Sequence, residues 1–192
     1  AQGHLSDEFV LQTSENDKNY LRIEWCTLRD LKSEYIQDSP FHKGLKYRGL
    51  QVDIFPMEIG IRSNFKKITD RFQSLFVCKF VLSKKIPYWL GVRVAKISRY
   101  FETLIMIPFF RFFNYKTANY YTFSYGIGFV SKRYLKNIYP LNKVKFEGYM
   151  LNAPRNVDAY LTDLYGDWRK IPASDDIQTH HVEIKFYDHP VY

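Results

Sequence analysis

Gly49-Leu50-Gln51-Val52-Asp53-Ile54-Phe55-Pro56 is the stretch on which the reading of this chain turns. Leu50 to Phe55 reads as a short β-strand. Pro56, which has no N–H to give to a ladder, closes it. Side chains alternate along a strand, so Val52 and Ile54 lie on one face and Asp53 on the other. A carboxylate in such a setting has two readings. The commoner is an exposed residue on an edge strand. The sharper is a ligand for a hard cation such as Mg²⁺, which takes oxygen ligands from one or two carboxylates and from substrate phosphates. Pattern alone leaves both open.

Working outward, Phe9–Gln12 reads as a strand followed by the polar turn 13–19. A second strand covers 20–30 and continues toward Tyr35-Ile36, and 40–49 is loop. Beyond Pro56 the period changes. Phe65, Ile68, Phe72, Leu75 and Phe76 recur at helical spacing, as do Leu90, Val94, Ile97, Phe101, Leu104 and Ile105. Pro87 separates the two runs and Pro108 is expected to end or kink the second, giving an antiparallel helical pair over about 62–112. From Tyr120 the pattern is mixed. Ser131 is a candidate N-cap for a short helix through Ile138. The stretch 145–151 reads as a strand pair or hairpin edge, and 157–165 as a compact helix stopped by Gly166. The expected class is therefore α+β, one domain over 1–192, with a basic helical insertion at 62–116.

Composition bounds the function. The chain has 192 residues, 46% apolar and 18% aromatic, which argues against a disordered chain. The net charge is +8, and residues 62–116 hold 12 Lys+Arg against 2 Asp+Glu, a local +10. Such a stripe attracts phosphates of any kind: nucleotide, anionic lipid or nucleic acid. No nucleic-acid recognition motif accompanies it, so nucleic acid is the least expected partner. The aromatic run Phe109, Phe110, Phe112, Phe113, Tyr115 makes peripheral membrane contact a second reading beside a solvated face. Thr103 to Phe110 is the longest charge-free apolar stretch, far short of the roughly 20 residues that span a bilayer. Cys26 and Cys78 read as buried free thiols. No signal peptide is visible, so the expected location is cytoplasmic, or peripheral at the inner face of the membrane.

Further candidates are Arg22 and Arg29, whose guanidinium forks could clamp a phosphate, against the commoner solvated face. Asp167 and Trp168, just past a helix end, could touch a ligand, though such residues more often fix the exit of the chain. His180 and His181 are adjacent and cannot chelate one metal together, so at most one serves. Gly126-Ile127-Gly128 is too short for a phosphate loop.

Taken in order, these pieces resemble the LicD family, named for phosphorylcholine transferases of bacterial surface polysaccharides, with fukutin-related proteins as distant members. Phe9–Ser14 precedes Tyr20, and Leu28-Arg29-Asp30 precedes Ser33. Gly49 to Pro56 matches the family's hydrophobic-Asp-Ile-Phe-Pro signature. Phe146-Glu147-Gly148, Pro154, Tyr160-Leu161, Tyr165-Gly166-Asp167-Trp168 and Pro172 match its C-terminal block, and the His pair falls where the family often carries histidine. The resemblance covers most of 9–181 and is loosest in the helical middle.

The resemblance implies a nucleotidyltransferase-like fold, a small mixed sheet flanked by helices. It also implies a metal-dependent transfer of a phosphorylated alcohol, phosphocholine from CDP-choline, to a glycan acceptor such as lipopolysaccharide or teichoic acid. Asp53 matches the later of the family's metal-site carboxylates, for Mg²⁺ or Mn²⁺. Arg22, Arg29, Asp167, Trp168 and His180 would line the substrate cleft. The family's early Asp-rich motif has no counterpart here and would lie before Ala1. The domain is thus expected to be N-terminally incomplete and inactive by itself. The alternative is a catalytically inactive module that binds a membrane surface or a partner through its basic aromatic helices.

Overall fold

The computed structural model describes residues 5–21, 25–37, 40–59, 67–69, 71–72, 75, 86–113, 119–123, 132–171, 173 and 183–192. It is mixed α and β. Among the described residues the strands pair antiparallel in four small sheets, where the resemblance implies one small mixed sheet.

The first sheet carries the Asp53 stretch. Strands β1 (Phe9–Gln12), β2 (Cys26–Asp30) and β4 (Gln51–Ile54) lie in the order β1-β2-β4. Their register sets Gln12 opposite Thr27 and Thr27 opposite Asp53, one row across three strands. Directly opposed residues share a face, so Asp53 stands apart from Val52 and Ile54, as alternation requires. The expected continuous strand from 20 to 36 is instead two strands. Asp30 accepts a hydrogen bond from the Lys32 N–H at 2.9 Å through its side chain, a local turn that breaks the run. β3 (Ser33–Ile36) then leaves for a second sheet and pairs with β10 (Glu183–Phe186), a strand that the polar tail does not announce.

Gly49 is where the chain returns to the first sheet. A Cβ there would sit 1.7 Å from the Asp30 carbonyl oxygen and 3.0 Å from that of Ser33. Only a residue with no side chain lets the two backbones approach so closely. The Leu50 N–H then donates to Ser33 Oγ at 2.9 Å.

β4 closes before Pro56, as expected, and the chain re-enters strand structure directly after it in another sheet. β5 (Met57–Ile59) follows and pairs with β6 (Tyr120–Phe123), which pairs with β7 (Arg133–Tyr134). An aromatic seam joins this third sheet to the first. Phe55 lies between Trp25, 5.4 Å away edge-on, and Phe123 at 5.2 Å. The buried Arg133 guanidinium lies 3.5 Å over the Phe123 ring and its Nε donates to Tyr160 Oη at 3.2 Å.

α1 is one turn, Pro40–Lys43. α2 (Tyr88–Phe101) starts directly after Pro87, as expected. It passes into a π-helical turn, Glu102–Met106, and on into α3 (Ile107–Phe112). Pro108 therefore neither stops nor ends the helix. The ring has no N–H and crowds the preceding turn, and a π turn, in which the Ile107 N–H reaches back to the Glu102 carbonyl, absorbs it. Of the first expected helix, 67–69 and 71–72 are helical, and most of 60–85 lies outside the described residues.

α4 (Leu135–Ile138) is shorter than expected, and its proposed cap Ser131 lies outside the described residues. β8 (Asn142–Phe146) and β9 (Tyr149–Ala153) form the expected hairpin. Its two-residue turn, Glu147-Gly148, has positive φ at both positions (48° and 84°), the conformation that matches strand twist. α5 spans Val157–Tyr165, the range read from the sequence. Asn156 caps its start by accepting from the Ala159 N–H, and Gly166 ends it at φ 70°.

Gly49→Ala should destabilise the fold by about 3 kcal/mol or more, because the clash is with backbone that cannot move aside. Gly148→Ala has open space around it and should cost only about 1 kcal/mol through its positive φ. Urea unfolding of both variants reads the difference. Equal midpoints would mean that the chain does not pack at Gly49 as described.

Candidate functional site

Asp53 sits at the rim of the polar face of the first sheet. Its Oδ1 accepts a hydrogen bond from Thr27 Oγ1 at 2.9 Å, and Thr27 Oγ1 lies 2.7 Å from Tyr20 Oη. Each hydroxyl has a single proton. The short spacings are met together when Tyr20 donates to Thr27 and Thr27 donates to Asp53. Tyr20 and Thr27 are buried while Asp53 is exposed. A carboxylate is thus held from beneath by one oxygen, with its outer side open to solvent. Fixing an oxygen in this way is what a second layer of hydrogen bonding does for a metal-binding carboxylate.

As to the metal, Asp53 offers one oriented carboxylate of the hard-oxygen type that Mg²⁺ or Mn²⁺ selects. Among the described residues no three His, Cys, Asp or Glu side chains group around a common point. The residues present fit one protein ligand and not a closed cage. That arrangement suits Mg²⁺ only where substrate phosphates complete the shell.

Arg29 is not at this rim. It is 3% exposed and points into the fold. Its Nε donates to Gln12 Oε1 at 2.8 Å and its Nη1 to the Gly49 carbonyl at 2.9 Å. Gln12 in turn donates to Asp17 Oδ2 at 2.6 Å. Asp17, also buried, accepts from the Lys46 and Asn19 backbone N–H groups. The sequence offers a phosphate clamp or a solvated face for Arg29. The structure makes it an internal brace whose fork is occupied by the protein itself.

Asp167 and Trp168 belong to a different local cluster. Trp168 Nε1 donates to Asp158 Oδ1 at 3.1 Å, Arg169 pairs with the same oxygen at 2.5 Å, and the Arg169 guanidinium stacks 4.3 Å from the Trp168 ring. Asp158 is in the first turn of α5. The segment after Gly166 therefore folds back along its own helix, the chain-exit role weighed for Trp168. The Asp167 carbonyl accepts from the Lys170 N–H, and its side chain is exposed. Arg22, His180, His181, Gly126, Gly128, Cys78 and Pro172 lie outside the described residues. Cys26 is a half-buried free thiol, and burial pushes its pKa up, away from reactivity.

Three residues of this region were not singled out as positioning groups from the sequence. Tyr20 and Thr27 orient Asp53. His42 is buried beside Tyr35, their rings 5.5 Å apart, and its Nε2 has no hydrogen-bond partner among the described residues. Burial, then the charges of Arg29 and Arg48, hold its pKa below the ordinary value, against a weaker pull from Glu34. The signal for Thr27 was available in outline, as a hydroxyl at the strand position opposite Asp53, but it needs the register to be known.

Two outcomes follow. Arg29→Met should lower stability by about 3 kcal/mol, because Gln12 and the Gly49 carbonyl lose a charged donor in the interior. A surface phosphate clamp would instead leave the unfolding midpoint unchanged. For His42, the unfolded chain binds a proton that the folded state excludes. Its contribution is complete above the ordinary value of 6.5 and is lost as pH falls from there through the lowered folded value. Urea midpoints between about pH 7.5 and about pH 5, which bracket the ordinary histidine range, should decline less steeply in His42→Gln than in the wild type. Parallel profiles would remove His42 as the source.

Compared with models of known protein families, with curated proteins and with solved structures, the chain finds no match.

Proposed function

We propose that this chain is the Asp53-bearing part of a LicD-like phosphotransferase with a nucleotidyltransferase-like fold. The activity is transfer of a phosphorylated alcohol, phosphocholine from CDP-choline, to the hydroxyl of a cell-surface glycan at the inner face of the membrane. The observation that carries the reading is Asp53 itself. The resemblance singles out this carboxylate, and it is the one that Thr27 and Tyr20 hold at the rim of a polar sheet face.

Phosphoryl-group transfer asks little covalent chemistry of a protein and much positioning and charge neutralisation. A bound Mg²⁺ or Mn²⁺ would supply neutralisation of the donor phosphates. Asp53 would give one oxygen to that ion. Thr27 would keep the carboxylate from rotating away, and Tyr20 would keep the Thr27 proton aimed at it. Arg29 acts one step removed, by bracing β1 and β2 so that the row Gln12–Thr27–Asp53 stays in register.

The test is a CDP-choline transfer assay with added Mn²⁺, on protein that includes whatever precedes Ala1 in the natural chain. Asp53→Ala should abolish transfer. Thr27→Val should lower it on the order of ten- to a hundredfold, as loss of an orienting hydrogen bond does at a metal ligand, and Thr27→Ser should restore it. Full activity in Asp53→Ala would sink the reading.

A further inference from the structure

The rod formed by α2, the π turn and α3 is built inside out. The face it turns to the protein carries mostly small or polar side chains, with Val92 and Ile107 as its buried apolar ones. Gly91, Ala95, Ser98, Arg99 and Glu102 are buried there, and Val92 and Ala95 meet Leu21 in a small core cluster. The face it turns outward carries large apolar ones. Ile97 is 69% exposed, Leu104 69% and Phe112 79%, with Ile105 and Phe109 exposed beside them, and Phe101 keeps an open side while its ring lies 5.8 Å from that of Phe72. A surface helix of a globular protein has the opposite polarity.

The outward residues form one line. At about 100° per residue, Ile97, Phe101, Leu104 and Ile105 fall within one side of the helix. An unbroken α-helix would carry Phe109 away from that side. The π turn rotates less per residue and brings Phe109 back toward the side of Ile97 and Phe101, where Phe112 also falls. The stripe runs along a rod roughly 37 Å long at 1.5 Å per residue. Among the described residues, no helix is long and apolar enough to cross a membrane.

Charge selects the occupant. Within 88–113 the single acidic residue is Glu102, which is buried and paired with Arg99 at 3.3 Å. Arg93 flanks the stripe, with its guanidinium 5.2 Å over the Trp89 ring. The surrounding segment 62–116 holds 12 basic against 2 acidic residues. A second copy of the chain would set two such segments against each other, so like charges oppose self-association. A surface with negative headgroups and an apolar interior satisfies both features at once.

We propose that this outward face is a lipid-surface site, on which the rod lies flat in the interface of an anionic bilayer. The proposal does not rest on the transferase reading and stands if Asp53 proves inert.

Flotation of the full chain tests it. The probes are vesicles of phosphatidylcholine alone and of equal parts phosphatidylcholine and phosphatidylglycerol. The chain should float with the mixed vesicles, weakly with the neutral ones, and less in high salt. The triple variant I97S/L104S/F112S alters only exposed positions and should bind the mixed vesicles on the order of tenfold more weakly or worse. Arg93→Glu tests the charge separately and should weaken the same binding. Failure of the wild type to float with mixed vesicles would overturn the proposal, as would equal binding by the triple variant or by the charge-reversed one. So would a dimer in light scattering that the triple variant turns to monomer without any vesicle binding, which would assign the face to a second copy.

Discussion

The structure around the site depends on one buried cation. Taking a guanidinium out of water costs several kcal/mol unless its donors are met, and Arg29 is almost wholly buried. Its fork joins three pieces of chain that are distant in sequence: Gln12 on β1, its own strand β2, and Gly49 at the entry to β4. The same bonds that satisfy the charge fix the order of the sheet. Gln12 cannot turn away, because its amide is also held by Asp17 and by the Tyr47 carbonyl at 3.2 Å. The bare Gly49 backbone then presses on Asp30 where any side chain would collide. Asp53, four residues on, has little freedom left in where it stands.

From this brace the structure extends by rings. Trp25 passes to Phe55, Phe55 to Phe123, and Phe123 to the guanidinium of Arg133, which reaches Tyr160 on α5. Phe55 is two residues from Asp53, so the packing that joins the first sheet to the third also anchors the far end of β4. Edge-on ring pairs and a cation over a ring face are each worth about 1 kcal/mol. Their value here is directional, since they help fix the angle between the two sheets. The pair between Arg111 and Glu58 ties the far end of the helical rod to β5 in the same way.

Much of this could be read from the residues. The alternation around Asp53, the Glu147-Gly148 hairpin and the limits of α5 follow from local chemistry: strand period, a turn demanding positive φ, an Asn cap and a stopping glycine. What could not be read needs partners distant in sequence. β10 is a polar strand that exists because β3 offers it an edge, and Tyr187 adds a bond to Glu34 at 3.1 Å. The break between β2 and β3 is a side-chain turn at Asp30 in a run whose pattern looks continuous. The fate of Pro108 depends on whether the helix can take up an extra residue, which periodicity does not encode. Arg29 has the same appearance in sequence whether it points outward to a phosphate or inward to a glutamine.

That last ambiguity is general in this chain. Hydrophobic periodicity says which residues share a face, and a second assumption, that the apolar face looks inward, says which way it points. The assumption fails twice. On the first sheet, Phe9, Val52 and Ile54 are exposed while Gln12, Thr27 and Arg29 are buried. On the helical rod, Ile97, Leu104 and Phe112 are exposed while Ser98, Arg99 and Glu102 are buried. In both cases a charged group inside is paired with a specific neighbour, Gln12 for Arg29 and Glu102 for Arg99, which makes the reversed orientation tolerable. The reversal also accounts for Asp53. Because the polar face of the sheet is the inner one, a carboxylate on that face at the edge strand has hydroxyls behind it and solvent in front. With the usual polarity it would stand on an outer face with nothing to orient it. The inversion that conceals the fold from the sequence is thus the same one that turns an ordinary edge-strand Asp into a carboxylate with an oriented oxygen.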